Sequence, residues 1–235
     1  KLNQNWEAKE VTIPEYKTPD APEKPTVYFY DIPNAKQSVL LFGAPALAAT
    51  DEDYYPASVM NYILGGGGFA SRLTQELREG KGYTYGIRSG FSGTNAKGAF
   101  TISSGVRSNV TLESAQLVKK ILEEYPTTFS DKDLETTKSF LIKSNARAFE
   151  TSRAKLNMLT NISDYGMSPD YVKDREKIVN NMTKERITEL ANKYVNPEKM
   201  IWLVVGDAET QFDRMKELGY GEPVLLNKRQ EKIKK

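Results

Sequence analysis

Two residue types are missing from this 235-residue chain: it has no cysteine and no histidine. Without cysteine there is no disulfide framework, no thiol nucleophile and no Cys-ligated zinc. Zero cysteine suits an oxidising or a reducing compartment and identifies neither. Without histidine, a Ser-His-Asp triad, an imidazole general base and a His-ligated catalytic zinc are all excluded within the chain. Any hydrolysis in which it takes part draws its central chemistry from elsewhere. Excess charge of one sign is also lacking. The 33 Lys and Arg against 31 Asp and Glu leave a net charge of +2, without the concentrated basic face of a nucleic-acid binder. No nucleic-acid partner is expected. Nor does any stretch approach eighteen consecutive apolar residues, so no membrane span is expected. The chain opens on Lys1 with no apolar run behind it; a longer parent chain is expected, with any export signal upstream.

What is present is unevenly distributed. Six of the eleven prolines fall in the first 45 residues, and from Pro14 to Pro25 they recur every three to five positions among charged and small residues. That composition favours an extended linker over a packed element. We expect a proline-rich arm over 1–25, one domain over 26–227 and a basic, frayed tail over 228–235. Trp6 either packs on a neighbour or ends a truncated element. Eleven of the sixteen glycines lie between 65 and 105, which marks unusual backbone demands there.

Val27–Tyr30 and Ser38–Phe42 read as strands, separated by the turn-prone Asp31–Asn34. A helix is expected through Tyr55, Val59 and Ile63, stopped by Gly65–Gly68. Helical spacing resumes over Phe69–Glu79, with Arg72 and Glu76 as an i,i+4 pair. Tyr83–Phe91 and Gly98–Val106 form a hairpin. Helices follow over 111–124, 130–149 and 152–165, then from Ser168-Pro169 and from Thr183. Met200–Val205 is a buried strand, followed by a helix over 209–218. Strands and helices segregated in this way indicate an α+β fold, an antiparallel sheet with helices packed on one face.

Two segments could carry chemistry. Gly65–Gly68 lacks the spacing of a phosphate-binding loop and follows a helix instead of a strand, so a flexible corner between two helices is the simpler use. The stretch 77–85, Leu-Arg-Glu-Gly-Lys-Gly-Tyr-Thr-Tyr, places Arg78 seven residues before Tyr85, with glycines at 80 and 82 allowing a tight return. Such a return can bring a guanidinium and a phenol to one end of the sheet. The arginine offers a planar fork of donors, and the tyrosine one hydroxyl for a developing oxyanion. Composition alone favours the plainer use, Arg78 as a salt-bridged helix end and Tyr85 as a half-buried strand residue. Tyr83 is the residue to confuse with Tyr85, and the two are expected to face opposite ways.

The run Asn61–Leu73 with its four glycines, followed by Leu77–Gly86, resembles the pitrilysin/insulinase family of zinc metallopeptidases, in the bacterial branch related to mitochondrial processing peptidase. Gln37-Ser38, Glu150-Thr151 and Val204–Asp207 extend the resemblance over nearly the whole chain. In that family two homologous domains close around a peptide. The first carries an inverted His-x-x-Glu-His zinc motif, which this chain lacks. The second contributes an Arg and a Tyr seven residues apart.

The resemblance therefore implies a C-terminal, non-zinc half whose Arg78 grips a substrate carbonyl and whose Tyr85 donates to the oxyanion. Zinc is expected in a partner domain or subunit, the substrate is a peptide, and no metal is held here. Gly65, Gly66, Gly67 and Gly68 are a weaker substrate-binding candidate by the same likeness. The alternative is a catalytically inactive, structural or peptide-binding member. An exported, periplasmic location is favoured by resemblance alone.

Overall fold

The computed structural model describes residue 5 and residues 9–12, 17–145 and 147–226. Trp6, part of the arm and the expected tail lie outside them. The described residues of the arm before Pro22 are exposed and carry no strand, and Thr18 and Pro19 lie against the sheet.

Six strands form one sheet: β1 (Thr26–Asp31), β2 (Gln37–Pro45), β3 (Thr84–Ser92), β4 (Ala99–Arg107), β5 (Ile201–Gly206) and β6 (Val224–Leu225), in the order β3-β4-β2-β5-β1-β6. The fold is α+β, as expected, but the sheet is mixed where a purely antiparallel one was expected. β2 runs antiparallel to β4 and β5, whereas β1 pairs in parallel with β5 and with β6. The cause is an insertion. β1 and β2 are joined by a short turn like hairpin partners, yet β5 returns from the far end of the chain to lie between them. The two-residue β6 has too little pattern of its own to be foreseen.

Alternation sets the two faces. Val27 and Phe29, Leu40 and Phe42, Phe100 and Ile102, and Trp202 and Val204 all point to the buried side. Trp202 packs against Phe42 with ring centroids 4.3 Å apart. Truncating a side chain so placed costs about 3–5 kcal/mol.

Helices cover that side: α1 (Tyr54–Asn61, continued as a π turn over Tyr62–Gly66), α2 (Arg72–Thr74, continued as a π turn over Gln75–Gly80), α3 (Thr111–Thr128), α4 (Asp131–Asn145), α6 (Tyr171–Asn181), α7 (Lys184–Tyr194) and α8 (Ala208–Gln211, continued as a 3-10 turn over Asp213–Leu218), while α5 (Ser152–Tyr165) buries none of its residues. The longest, α3, buries Leu112, Ala115, Val118, Leu122 and Tyr125 along one stripe, the helical spacing of an amphipathic element.

Three local expectations are corrected. α4 stops at Asn145, short of 149. α6 starts at Tyr171, because Ser168 accepts from the Asp170 and Tyr171 N–H groups and makes a separate turn before it. Arg72 turns away from Glu76. It reaches Asp133 at 2.8 Å and lies over the Tyr125 ring, fastening α2 to the start of α4. Thr183 does cap its helix, accepting from the Arg186 N–H.

Candidate functional site

Arg78 stands on the π turn that ends α2. Widened turns of this kind break the regular rotation of side chains about a helix, and they recur at functional sites. The backbone then folds back: Gly82 N–H donates to Arg78 O at 3.0 Å and Tyr83 N–H to Leu77 O at 2.9 Å. Gly82 has φ of +60°, a conformation that an L side chain adopts only under strain, so the return needs glycine. The guanidinium lies 4.7 Å from the centroid of Phe69 and 3.3 Å from the Glu79 carboxylate. Its side chain stays 37% exposed.

Tyr85 is displayed by an irregularity in β3. Thr84 pairs with Val106 and Ile87 with Ser104, so two residues, Tyr85 and Gly86, stand opposite the single Gly105. Without this bulge, Tyr85 would share the buried face with Ile87 and Ser89. With it, the side chain is turned to the open face, 95% exposed and without a partner among the described residues. Re-aiming one side chain is what such bulges do. Thr84 holds the bulge, its hydroxyl donating to Gly105 O at 2.7 Å. Tyr83 precedes β3 and is half-buried. Strand alternation therefore does not separate it from Tyr85, and in a regular strand two residues so spaced would share a face.

The return thus places Arg78 and Tyr85 at one end of the sheet, while no hydrogen bond or ion pair joins them. Two nearby residues were not anticipated. Phe69, 60% exposed, holds the Arg78 guanidinium; an aromatic directly after four glycines was the signal available. Arg107, at the end of β4, donates to Gly82 O at 3.4 Å and so reaches the same turn.

Three of the four glycines have packing reasons and the fourth a backbone one. A Cβ at Gly65 would stand 2.7 Å from Leu73 Cδ1 and 2.8 Å from Ser89 N. At Gly66 it would crowd the Asn61 amide, and at Gly67 the Tyr62 carbonyl, while Gly68 has φ of +56°. Asn61 and Ser89 lock this corner to the sheet: Asn61 Nδ2 donates to Ser89 O at 2.8 Å and Ser89 Oγ to Asn61 Oδ1 at 2.5 Å.

Among the described residues no group of three or more Asp or Glu side chains could hold a metal ion, and the chain has neither His nor Cys. The donors present do not fit a zinc ion. No helix among the described residues is long and apolar enough to cross a membrane.

The sequence profile described as "Peptidase M16 inactive domain" matches residues 1–141. The chain is 29% identical over 195 residues to the "Non-peptidase homolog YmxG" of Helicobacter pylori, covering 80% of this chain and 42% of that protein. It is 31% identical over 142 residues to the "Uncharacterized zinc protease YmxG" of Bacillus subtilis, covering 57% and 34%. Among solved structures, a peptidase M16 inactive domain from Pseudomonas fluorescens matches with a TM-score of 0.75 at 29% identity, over 85% of this chain and 47% of that one. The chain spans less than half the length of these relatives.

Proposed function

The chain belongs to the family of the peptidase M16 inactive domain, and from that premise we propose that it is the non-zinc half of a two-domain zinc metallopeptidase. It lines one wall of the substrate chamber with the open face of its sheet. It also supplies Arg78 and Tyr85 to an active site whose metal lies on another domain or subunit, joined through the arm or associating separately. The observation that carries this is the bulge opposite Gly105, which presents a phenol that is 95% exposed and unpartnered among the described residues where regular pairing would bury it.

Each residue has one task. The Arg78 fork donates to a peptide carbonyl of the bound substrate and fixes its register. The Tyr85 hydroxyl donates to the oxygen that gains negative charge as the carbonyl carbon becomes tetrahedral. A donor of this type, placed where charge develops, is worth about 2.7–4 kcal/mol of transition-state stabilisation. Gly65–Gly68 have, on this account, a structural task first, and contact with substrate is confined to the exposed Gly66 and Gly68.

A catalytically inactive, peptide-binding member is the alternative, and the name of the Helicobacter pylori relative, a non-peptidase homolog, favours keeping it. One experiment separates the two. Peptide cleavage is assayed with this chain alone, then together with a zinc-motif domain from the same source, association being verified by sedimentation. Cleavage only in the mixture, lost in Arg78→Ala and Tyr85→Phe, supports the active reading. Silence from an associated pair assigns the inactive one.

A further inference from the structure

We propose that the open sheet face selects an extended peptide in which a bulky apolar side chain and a carboxylate lie two residues apart. The inference rests on the peptide-binding role given above and adds to it the class of peptide.

Cross-strand pairing sets out what this face offers. One row runs Tyr85, Gly105, Val39, Val205, Tyr30; the next runs Arg88, Ser103, Leu41, Leu203, Tyr28. The middle of each row is aliphatic and still open to water, with Val39 50% and Leu41 40% exposed. Contiguous apolar surface of this kind on a sheet marks a binding face. Beside it the arm closes a groove. Thr18 and Pro19 form one wall, with Leu41, Gly43, Ile201 and Leu203 beneath, around a volume of about 480 Å³. Gly43 lies in this floor between Thr101 and Ile201, where a Cβ would run into the Phe100 backbone carbonyl. The groove is large enough for one bulky side chain and part of its backbone.

Charge decides which peptide. The charged strand residues on this face are Arg88 and Arg107, both positive, and neither has a carboxylate partner among the described residues. Lys97 adds a third cation at the groove's rim. Arg88 lies two strands from Leu41 in the same row, so its backbone is roughly 10 Å from Leu41, and an arginine side chain is long enough to cover the few ångströms from there to a point about 7 Å from the groove. In an extended peptide, side chains at i and i+2 point the same way about 7 Å apart. A peptide that seats an apolar side chain in the groove therefore delivers a side chain two positions away to the Arg88 guanidinium. A carboxylate there meets an unpaired planar fork of donors, and a lysine there meets repulsion.

The test uses the 235-residue chain and three labelled nine-residue peptides, each with a central leucine and with Glu, Gln or Lys at the positions two before and two after it, read by fluorescence anisotropy. The Glu peptide is expected to bind roughly fivefold more tightly than the Lys peptide, a preference that weakens with added salt. Arg88→Gln, at an exposed and unpartnered position, removes the preference while leaving the Gln peptide unchanged. Leu41→Gln weakens all three. Equal binding of the three peptides, or no binding at all, overturns the inference. So does a concentration-dependent dimer abolished by Leu41→Gln, which would give the face to a second copy. Charge-blind binding alongside Tyr85-dependent cleavage would remove this inference and leave the functional proposal standing. Charge-selective binding by a pair that never cleaves would do the reverse.

Discussion

The Arg78 guanidinium lies 4.7 Å from the centre of the Phe69 ring, and the ring is itself 60% exposed. The arginine is therefore held by an aromatic plate at the surface. Its one carboxylate neighbour among the described residues, Glu79, is adjacent in the chain. The ring contact orients the donor fork without occupying its N–H groups, which suits a group that must still donate to a substrate.

Removing the plate should release the arginine without unfolding the protein. In Phe69→Ala the loss of about 0.5–1 kcal/mol of cation–π attraction is expected to lower kcat/KM for peptide cleavage by the assembled protein roughly two- to fivefold. Phe69→Tyr keeps the ring and should keep the rate. Steady-state kinetics on the two variants check this, and wild-type behaviour from Phe69→Ala would show that Phe69 does not position Arg78.

The same pair shows what was legible in the sequence. Leu112, Ala115, Val118 and Leu122 recur at helical spacing, so α3 could be read directly. Likewise Val27 with Phe29, and Leu40 with Phe42, alternate as half-buried strands do. Arg78 and Tyr85 were readable as candidates from their spacing and from a family resemblance. Their geometry was not. The exposure of Tyr85 depends on a one-residue mismatch with Gly105, twenty positions away, and a single strand does not reveal its own bulge. Phe69 reads as one more apolar helix residue until the fold turns it outward under Arg78. The parallel pairing of β1 depends on β5, more than 160 residues further along the chain.

The glycine corner makes a stability prediction. Gly65→Ala would push a methyl group against Leu73 and the Ser89 backbone, through the Asn61–Ser89 lock. Overpacking of this kind costs about 1–3 kcal/mol. Gly68→Ala has open space around it and pays for its positive φ alone, about 1–2 kcal/mol. Urea midpoints at constant m-value should rank Gly65→Ala as at least as damaging. If Gly66→Ala and Gly67→Ala leave peptide affinity unchanged, the glycines are structural and take no part in recognition.

Acid should loosen the seam between α1 and α7. Burial raises the pKa of Asp53, but the Tyr194 hydroxyl, Lys193 and Arg186 outweigh it and hold the carboxyl below its ordinary value of 3.8. Asp53 accepts from Tyr194 at 2.6 Å and from Lys193 at 2.9 Å. A carboxyl whose folded pKa is depressed contributes stability above its unfolded pKa and loses it as pH falls through the folded one. The loss therefore lies below about pH 4. Asp133, lowered by Ser130 and Arg72 against its own burial, adds in the same direction. Asp53→Asn should cost about 1–2 kcal/mol at pH 7 and flatten the fall in urea midpoint below about pH 4. An unchanged pH profile in that variant would assign the acid sensitivity elsewhere.

Tyr85 gives the sharpest separation between folding and function. Its side chain is 95% exposed, so it buries almost no area and leaves no cavity when altered. Its hydroxyl bonds to nothing among the described residues, so Tyr85→Phe removes no internal contact. The expected change in stability is within about 0.5 kcal/mol, as for other surface positions. If the hydroxyl donates to the oxyanion, cleavage by the assembled protein should nonetheless fall about 10²–10³-fold in kcat, with KM little changed, because the hydrogen bond strengthens only as charge develops. Thermal unfolding and kcat measured on one preparation decide the point. A stable Tyr85→Phe protein with unaltered kcat would make the bulge a device for binding, and would move the weight to the inactive, peptide-holding role.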